Sequence, residues 1–317
     1  MPPPLQTKDW PGDSALLLVH GVGSYQLADY DSLLQALQLA LGPRWDELAV
    51  YTVLYDDIND WFAAKTNAAG LVNRLLAYLG GRFDEPELGP VVAEGAGDVI
   101  WPVLSVNARA AIRERVLAQI RQMVLDGDRV VPSRRKQKLY VLCHSLGCFH
   151  TYEVLCAAAS DPVHGLQPVS DSVRFQSVVM MASPVQLIRT VAQDIRDLIP
   201  SPLGLAILKP LAIPSQASGA NGMRPSIQRL VSLTGNLDPV GGFLFRNQLS
   251  WAYMNIPGQE SEIEQQQLAG IDSRTTLAGV LGGARGNRLG LPLSPNNPHD
   301  WTGYVTRNQT KVAKWLA

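Results

Sequence analysis

The sequence predicts an α/β fold, a mostly parallel central sheet flanked by helices, and three observations support it. Short continuous apolar runs at residues 15–19 and 49–55 are typical of strands buried on both faces of a parallel sheet. Between them, residues 29–41 carry apolar side chains at helical spacing and end at a Gly-Pro pair, which predicts a helix and its end. A third apolar run, at residues 139–142, leads through a tight turn into an apolar segment that we interpret as a helix. Strand, helix and strand in this rhythm indicate βαβ units.

The rest of the chain continues this rhythm with two interruptions. Residues 60–130 and 184–228 contain looser stretches rich in Gly and Pro, and we expect them to be cap or insert segments. The chain as a whole, residues 1–317, is predicted to form a single domain. The other predicted elements are an extended lead-in at 1–13, strands at 173–181, 229–234 and 251–256, and helices at 61–79, 105–125, 149–159, 186–198 and 298–316.

Composition and charge disfavour several classes of function. The formal net charge is −1, which gives no support for nucleic-acid binding, and the one basic run, residues 134–138, is interpreted as a solvated loop. No run approaches the roughly 18 consecutive apolar residues of a membrane span, and the N-terminal residues lack the pattern of a signal peptide. The three cysteines are odd in number and clustered, so no disulfide framework is predicted. We expect a cytoplasmic protein.

The turn after residues 139–142 has the sequence of a nucleophile elbow, Gly-x-Ser-x-Gly, with one departure. It reads Cys-His-Ser-Leu-Gly, so that Cys143 takes the place of the first glycine and Ser145 stands at the centre. In such an elbow the serine is held in a strained backbone conformation, and the residues two positions away must be small because strand and helix backbones approach closely. The alternative is an ordinary loop serine after a strand. The apolar strand before it and the apolar helix after it favour the elbow.

A nucleophilic serine needs a histidine to take its proton. His299 is the predicted base because it lies late in the chain, follows a loop and precedes a helix. The alternative is a histidine that merely begins that helix. The other four histidines fit less well: His144 adjoins the serine and points elsewhere, His20 ends a strand in the oxyanion region, His150 lies in the elbow helix, and His164 lies in a loop.

The histidine in turn needs an acid that orients it and stabilises its charged form. Asp238 is the predicted acid because it follows the strand at 229–234 and precedes a proline that stops further pairing. A turn aspartate before proline is the alternative interpretation. Three other aspartates are weaker candidates because none of them ends a strand: Asp194, Asp197 and Asp272.

Donors for a developing oxyanion are expected from two backbone N–H groups. The first is that of Leu146, which directly follows the serine at a helix start. The second is that of Val22, in the loop after the first strand, where Gly21 permits the turn. No metal or cofactor is predicted. The acidic stretch at residues 56–60 is better explained by helix capping than by metal binding.

These features together resemble the α/β-hydrolase superfamily, in particular its lipase- and esterase-like members with a His-Gly oxyanion dipeptide. The resemblance covers most of the chain, and the order Ser145, Asp238, His299 is the order expected for that fold. It implies a site at the carboxyl ends of the strands and a cofactor-independent serine hydrolase that cleaves a small-molecule or lipid ester. A thioesterase or amidase with the same triad, and a non-catalytic interaction module on the same fold, remain alternatives. The sequence does not predict an oligomeric state.

Overall fold

The computed structural model of the protein describes residues 5–21, 26–58, 106–133, 136–160, 174–185, 226–235, 260–266 and 300–317. The helices predicted at 61–79 and 186–198 and the strand predicted at 251–256 lie outside these residues. So do most of the residues of the two predicted cap or insert segments.

The described residues form one seven-stranded sheet with the strand order β1-β3-β2-β4-β5-β6-β7. Only β1 is antiparallel to its neighbour, and the other adjacent pairs run parallel. The predicted mostly parallel sheet is therefore confirmed. The strands are β1 (Leu5–Lys8), β2 (Ser14–Val19), β3 (Leu48–Val53), β4 (Lys138–His144), β5 (Arg174–Met181), β6 (Ser226–Gly235) and β7 (Glu260–Gln266).

The central strands are apolar on both faces because both faces of the sheet are covered. All six residues of β2 are buried, and successive side chains enter different core clusters. Leu17 packs in the cluster that includes Ile112 and Phe149 from helices on one side. Leu18 packs in the cluster that includes Leu37 and Trp301 from helices on the other side. Continuous apolar runs are the expected sequence of strands in such a three-layer arrangement.

Two groups of helices cover the sheet. On one side lie α2 (Val106–Val130) and α3 (Leu146–Ser160), which contact each other. On the other lie α1 (Asp31–Leu41), α4 (Trp301–Arg307) and α5 (Gln309–Trp315), and α1 contacts both of its neighbours. Across the described part of the chain, no helix combines the length and the apolar character needed to cross a bilayer.

The structure differs from the sequence-based expectation at several elements. The helix predicted at 105–125 is present as α2 but ends five residues later; it lies within the first segment predicted as a cap or insert, and it packs on the sheet as one of its flanking helices. The predicted final helix is two helices, because the chain leaves the helical conformation at Asn308, whose side-chain amide donates to the carbonyl of Tyr304. β7 forms in a stretch for which no strand was predicted. An edge strand is held by backbone pairing, so it needs little apolar sequence.

Candidate active site

Ser145 lies in the turn between β4 and α3 with a left-handed backbone, φ +51°. A non-glycine residue with this conformation is strained and persists only where the surroundings hold it. Here the N–H of Ser145 donates to the carbonyl of Met181 at 2.9 Å, and the carbonyl of Ser145 accepts from the N–H of Cys148 at 2.9 Å. Both ends of the turn are thereby tied, one to β5 and one to the first turn of α3. The strained elbow predicted from the sequence is present.

Close approach explains the glycine on one side of the serine. A Cβ atom placed on Gly147 would lie 2.5 Å from the carbonyl oxygen of Val19 and closer still to that of His20. No side chain fits there, because the atoms in the way belong to the backbone at the end of β2. The other small position differs: Cys143 is fully buried, and its thiol lies 3.5 Å from the carbonyl oxygen of Val179 on β5. The cysteine side chain therefore points towards the neighbouring strand, where there is room for it.

The loop after β2 lies directly against the serine. A Cβ atom placed on Gly21 would be 2.6 Å from Cβ of Ser145 and 3.2 Å from its Oγ. Glycine is thus required at position 21 by contact with the side chain of the elbow serine. Val22, the predicted second oxyanion donor, lies outside the described residues. Leu146, the predicted first donor, is the first residue of α3, where backbone N–H groups have no partner within the helix.

His20 is a buried, neutral ring that is packed beside this loop. Burial lowers the pKa of His20 to about 3, although a hydrogen bond to the carbonyl of Gly21 raises it. Because a carbonyl only accepts, Nδ1 carries the proton in that 2.8 Å bond. Nε2 then lies 3.7 Å from the carboxylate of Asp56. This distance is too long for a hydrogen bond, and a neutral ring forms no ion pair with the carboxylate.

Two further histidines lie in the core on opposite sides of the sheet. The ring of His144 stacks on that of Trp301 at 5.6 Å between centroids, on the side of α4. His150, on α3, is fully buried, and burial lowers its pKa to about 3. Neither nitrogen of the His150 ring has a hydrogen-bond partner among the described residues. These placements agree with leaving His144 and His150 out of the predicted triad.

The predicted acid and base, Asp238 and His299, lie outside the described residues. The described residues that flank them in the sequence lie near the elbow. β6, which ends at Gly235, runs parallel to β5, and the carbonyl of its Leu233 accepts from the N–H of Ala182 at 2.9 Å. His299 directly precedes Asp300, whose side chain caps α4, and α4 contributes the Trp301 ring stacked on His144.

Asp57, one of the acidic residues after β3, pairs with an arginine. The carboxylate of Asp57 accepts two hydrogen bonds from Arg115 at 2.6 and 3.1 Å, and Arg115 also donates to the carbonyl of Leu54 at 2.9 Å. Within the described ranges, no group of three or more His, Cys, Asp or Glu side chains is arranged to hold a metal ion.

Sequence reasoning missed one residue that contacts the oxyanion loop through its side chain. The hydroxyl of Tyr55 lies within hydrogen-bond distance of the carbonyls of both His20 and Gly21. The only local signal was an aromatic residue at the end of an apolar run. Its partners lie more than thirty residues earlier in the chain.

A strained serine between a parallel strand and a helix, beside the loop that follows a neighbouring strand, is the arrangement found in α/β hydrolases. The chain has an α/β-hydrolase fold. No family model matches the sequence, and no curated protein matches it either.

Three solved structures illustrate what the chain is similar to. One is an α/β serine hydrolase without a lid from Xanthomonas campestris, 12% identical, covering 92% of this chain and 96% of that one, with a TM-score of 0.30. Another is acetyl xylan esterase 1 from a Thermoanaerobacterium species, 14% identical, covering 85% and 74%, with a TM-score of 0.34. A third is a lipase-esterase related protein from Clostridium acetobutylicum, 8% identical, covering 90% and 98%, with a TM-score of 0.30. The fold assignment rests on the strand order and the elbow.

Proposed function

We propose that the protein is a serine hydrolase that cleaves carboxylic esters through an acyl-enzyme on Ser145. The observation that carries the proposal is the pairing of a strained serine, φ +51°, with a glycine whose missing side chain faces the serine Oγ. Strain of this kind persists at functional sites, where it presents a side chain in one direction. Ala182 has a similar backbone conformation, φ +52°, so it is the strain together with the Gly21 contact that supports a functional serine.

In the proposed reaction, Oγ of Ser145 attacks the ester carbonyl while His299 accepts the hydroxyl proton. The tetrahedral oxyanion accepts hydrogen bonds from the N–H groups of Leu146 and Val22. When the intermediate collapses, the C–O bond to the alcohol breaks and His299 returns the proton to the leaving oxygen. Asp238 holds His299 and stabilises its charged form. Water, activated in the same way, then attacks the acyl-enzyme and releases the acid and Ser145.

The described flanks support these two assignments without including the residues themselves. β6 ends three residues before Asp238, and this end of β6 lies at the edge of the sheet where β4 delivers Ser145. His299 immediately precedes the residue that caps α4, a helix whose Trp301 packs on the neighbour of the serine. In a parallel sheet the carboxyl ends of the strands meet at one edge, and sites of open α/β sheets form there.

The proposed substrate is a small-molecule or lipid ester with a hydrophobic acyl group. This proposal rests on the apolar content of residues 184–228 and of residues 60–105, the part of the segment predicted at 60–130 that precedes α2, which we expect to cover the site as a cap. The same triad supports thioester and amide cleavage, so comparing ester, thioester and amide turnover distinguishes these substrates. A cytoplasmic location stays a prediction.

The test is hydrolysis of a p-nitrophenyl ester series, from acetate to palmitate, together with labelling by a fluorophosphonate. Wild type is expected to hydrolyse these esters with an initial burst and to become labelled at Ser145. Ser145→Ala should lose both. Ser183→Ala is the matched control: Ser183 is another buried serine, and it follows β5, the strand next to β4. It should keep both activities. Folded wild type that resists labelling and turns over no ester would refute the mechanism and favour a non-catalytic interaction module.

A further inference from the structure

We propose that Tyr55 is a positioning residue, whose hydroxyl sets the orientation of the oxyanion loop at Gly21. This inference rests on the proposed serine hydrolase function. It adds to that site a residue from the segment that follows β3, beside the residues that follow β2 and β4. Tyr55 follows the end of β3 by two residues and is fully buried.

The contacts of Tyr55 converge on the loop after β2. Its hydroxyl lies 2.7 Å from the carbonyl oxygen of His20 and 2.9 Å from that of Gly21, so one proton is shared between two consecutive carbonyls. Its ring stacks on the ring of His20, with 4.1 Å between centroids and an interplanar angle of 9°. Nδ1 of His20 donates to the same Gly21 carbonyl at 2.8 Å. The Gly21 carbonyl therefore receives two donors, and its direction is fixed.

The direction of that carbonyl matters because of the peptide bond to which it belongs. The Gly21 carbonyl and the Val22 N–H are the two polar groups of one planar peptide, and in a trans peptide they point in opposite directions. Because the two groups share one plane, we infer that donors which fix the Gly21 carbonyl also restrict the direction of the N–H. An oxyanion donor stabilises a transition state most when its orientation is set before substrate binds.

Tyr55 is itself held rigidly, as a positioning residue must be. The preceding carbonyl, of Leu54, accepts from Arg115 on α2, and the same guanidinium binds the carboxylate of Asp57. The Tyr55 ring also packs against the His150 ring in a T-shaped arrangement, with 5.1 Å between centroids. A side chain locked by its neighbours transmits its position to the group it binds.

A purely structural role for the Tyr55 hydroxyl predicts a different outcome, and Tyr51→Phe provides the comparison. Tyr51 is a buried tyrosine of β3, in the same core cluster as Tyr55, and its hydroxyl binds Asp126 and Trp10, away from the loop. Both variants delete one buried hydroxyl, so both are expected to lower Tm to a similar extent. Only Tyr55→Phe is expected to change the reaction.

The experiment measures kcat and KM for p-nitrophenyl butyrate and the rate of fluorophosphonate labelling. For Tyr55→Phe we expect kcat and the labelling rate to fall about tenfold, less than the loss seen when an oxyanion donor itself is removed, with KM unchanged. Tyr51→Phe should retain wild-type kcat. Equal losses in the two variants, or a change in KM alone, would overturn the inference.

Two unnatural residues at position 55 repeat the test if Tyr55→Phe does not fold. Para-aminophenylalanine keeps a donor and should retain kcat, whereas para-fluorophenylalanine fills the space without donating and should lower it. Equal kcat values for these two variants would refute the role of the hydroxyl. Wild type that is never labelled at Ser145 refutes the proposed function instead, so the two failures are distinguishable.

Discussion

Replacing His150 with phenylalanine should make the protein less sensitive to acid. The ring of His150 is fully buried, and neither nitrogen has a hydrogen-bond partner among the described residues. Burial lowers its pKa from 6.5 to about 3, and the nearby His20 and Arg109 act in the same direction. The folded protein therefore keeps this ring neutral over a pH range in which the unfolded chain binds a proton.

The sign of the effect follows from proton linkage. A group whose pKa is lower in the folded state contributes stability that is present above the unfolded pKa and is lost as pH falls towards the folded one. For His150 this pH window runs from 6.5 down to about 3. Across the whole window the free energy of unfolding falls by about 5 kcal/mol. Between about pH 7 and about pH 4.5 the expected loss is about 2 to 3 kcal/mol.

The assay is urea unfolding, followed by circular dichroism, at those two pH values for each variant. The difference between the two pH values should be smaller in His150→Phe than in wild type by that amount. Packing changes caused by the larger ring are present at both pH values and cancel. Burial raises the pKa of Glu153 to about 7, so the contribution of Glu153 to the free energy of unfolding falls as pH rises through this range. The same change occurs in both proteins.

Phe149→Leu is the control, because it alters a buried, non-titrating neighbour on the same helix. It should shift the free energy of unfolding equally at both pH values. If His150→Phe kept the pH dependence of wild type, the His150 ring would not stay neutral in the folded wild-type protein. The reasoning from burial would then be refuted.

Two further predictions concern backbone contacts. Gly147→Ala should destabilise the protein by about 3 kcal/mol or prevent folding, because the new Cβ meets backbone atoms of β2. Gly127→Ala is its matched control: the added Cβ meets side-chain atoms of Gln137 and Trp10, so thermal unfolding should show a smaller loss. Similar Tm values for the two alanine variants would contradict the close approach at the elbow. Asp300→Ala should cost about 1 kcal/mol in urea unfolding, because the Asp300 carboxylate accepts from the N–H of Gly303 at 2.6 Å. An unchanged midpoint would argue against this cap.

The central elements were predictable from sequence because burial on both faces leaves a strong local signal. β2, β3 and β4 are continuous apolar runs, and the elbow carries its small residues at fixed spacing. The edge strands were not predictable in the same way. β1 was expected only as an extended lead-in, and β7 contains a single apolar residue, Ile263. Backbone pairing holds such strands, and it depends on which neighbour is available rather than on composition.

The site shows the same division between local and long-range information. Ser145 and the need for glycine at 147 follow from one short stretch of sequence. The contact of Gly21 with the serine, and the hydroxyl of Tyr55 on the loop, join segments that no local pattern connects. Cys143 could be recognised as a departure, but only the structure shows that its side chain points towards β5. The assignments of Asp238 and His299 remain predictions.

The contact between Gly21 and Ser145 has a consequence for how the protein folds. The two residues come from segments far apart in the sequence, which become neighbours only when β2 and β4 pair in register. Forming such non-local pairs requires closing a long loop, which slows folding relative to local contacts. A reactive Ser145 should therefore be absent from early collapsed states and emerge together with the central sheet. In refolding experiments, fluorophosphonate labelling of Ser145 should then begin no earlier than the pairing of β2 with β4.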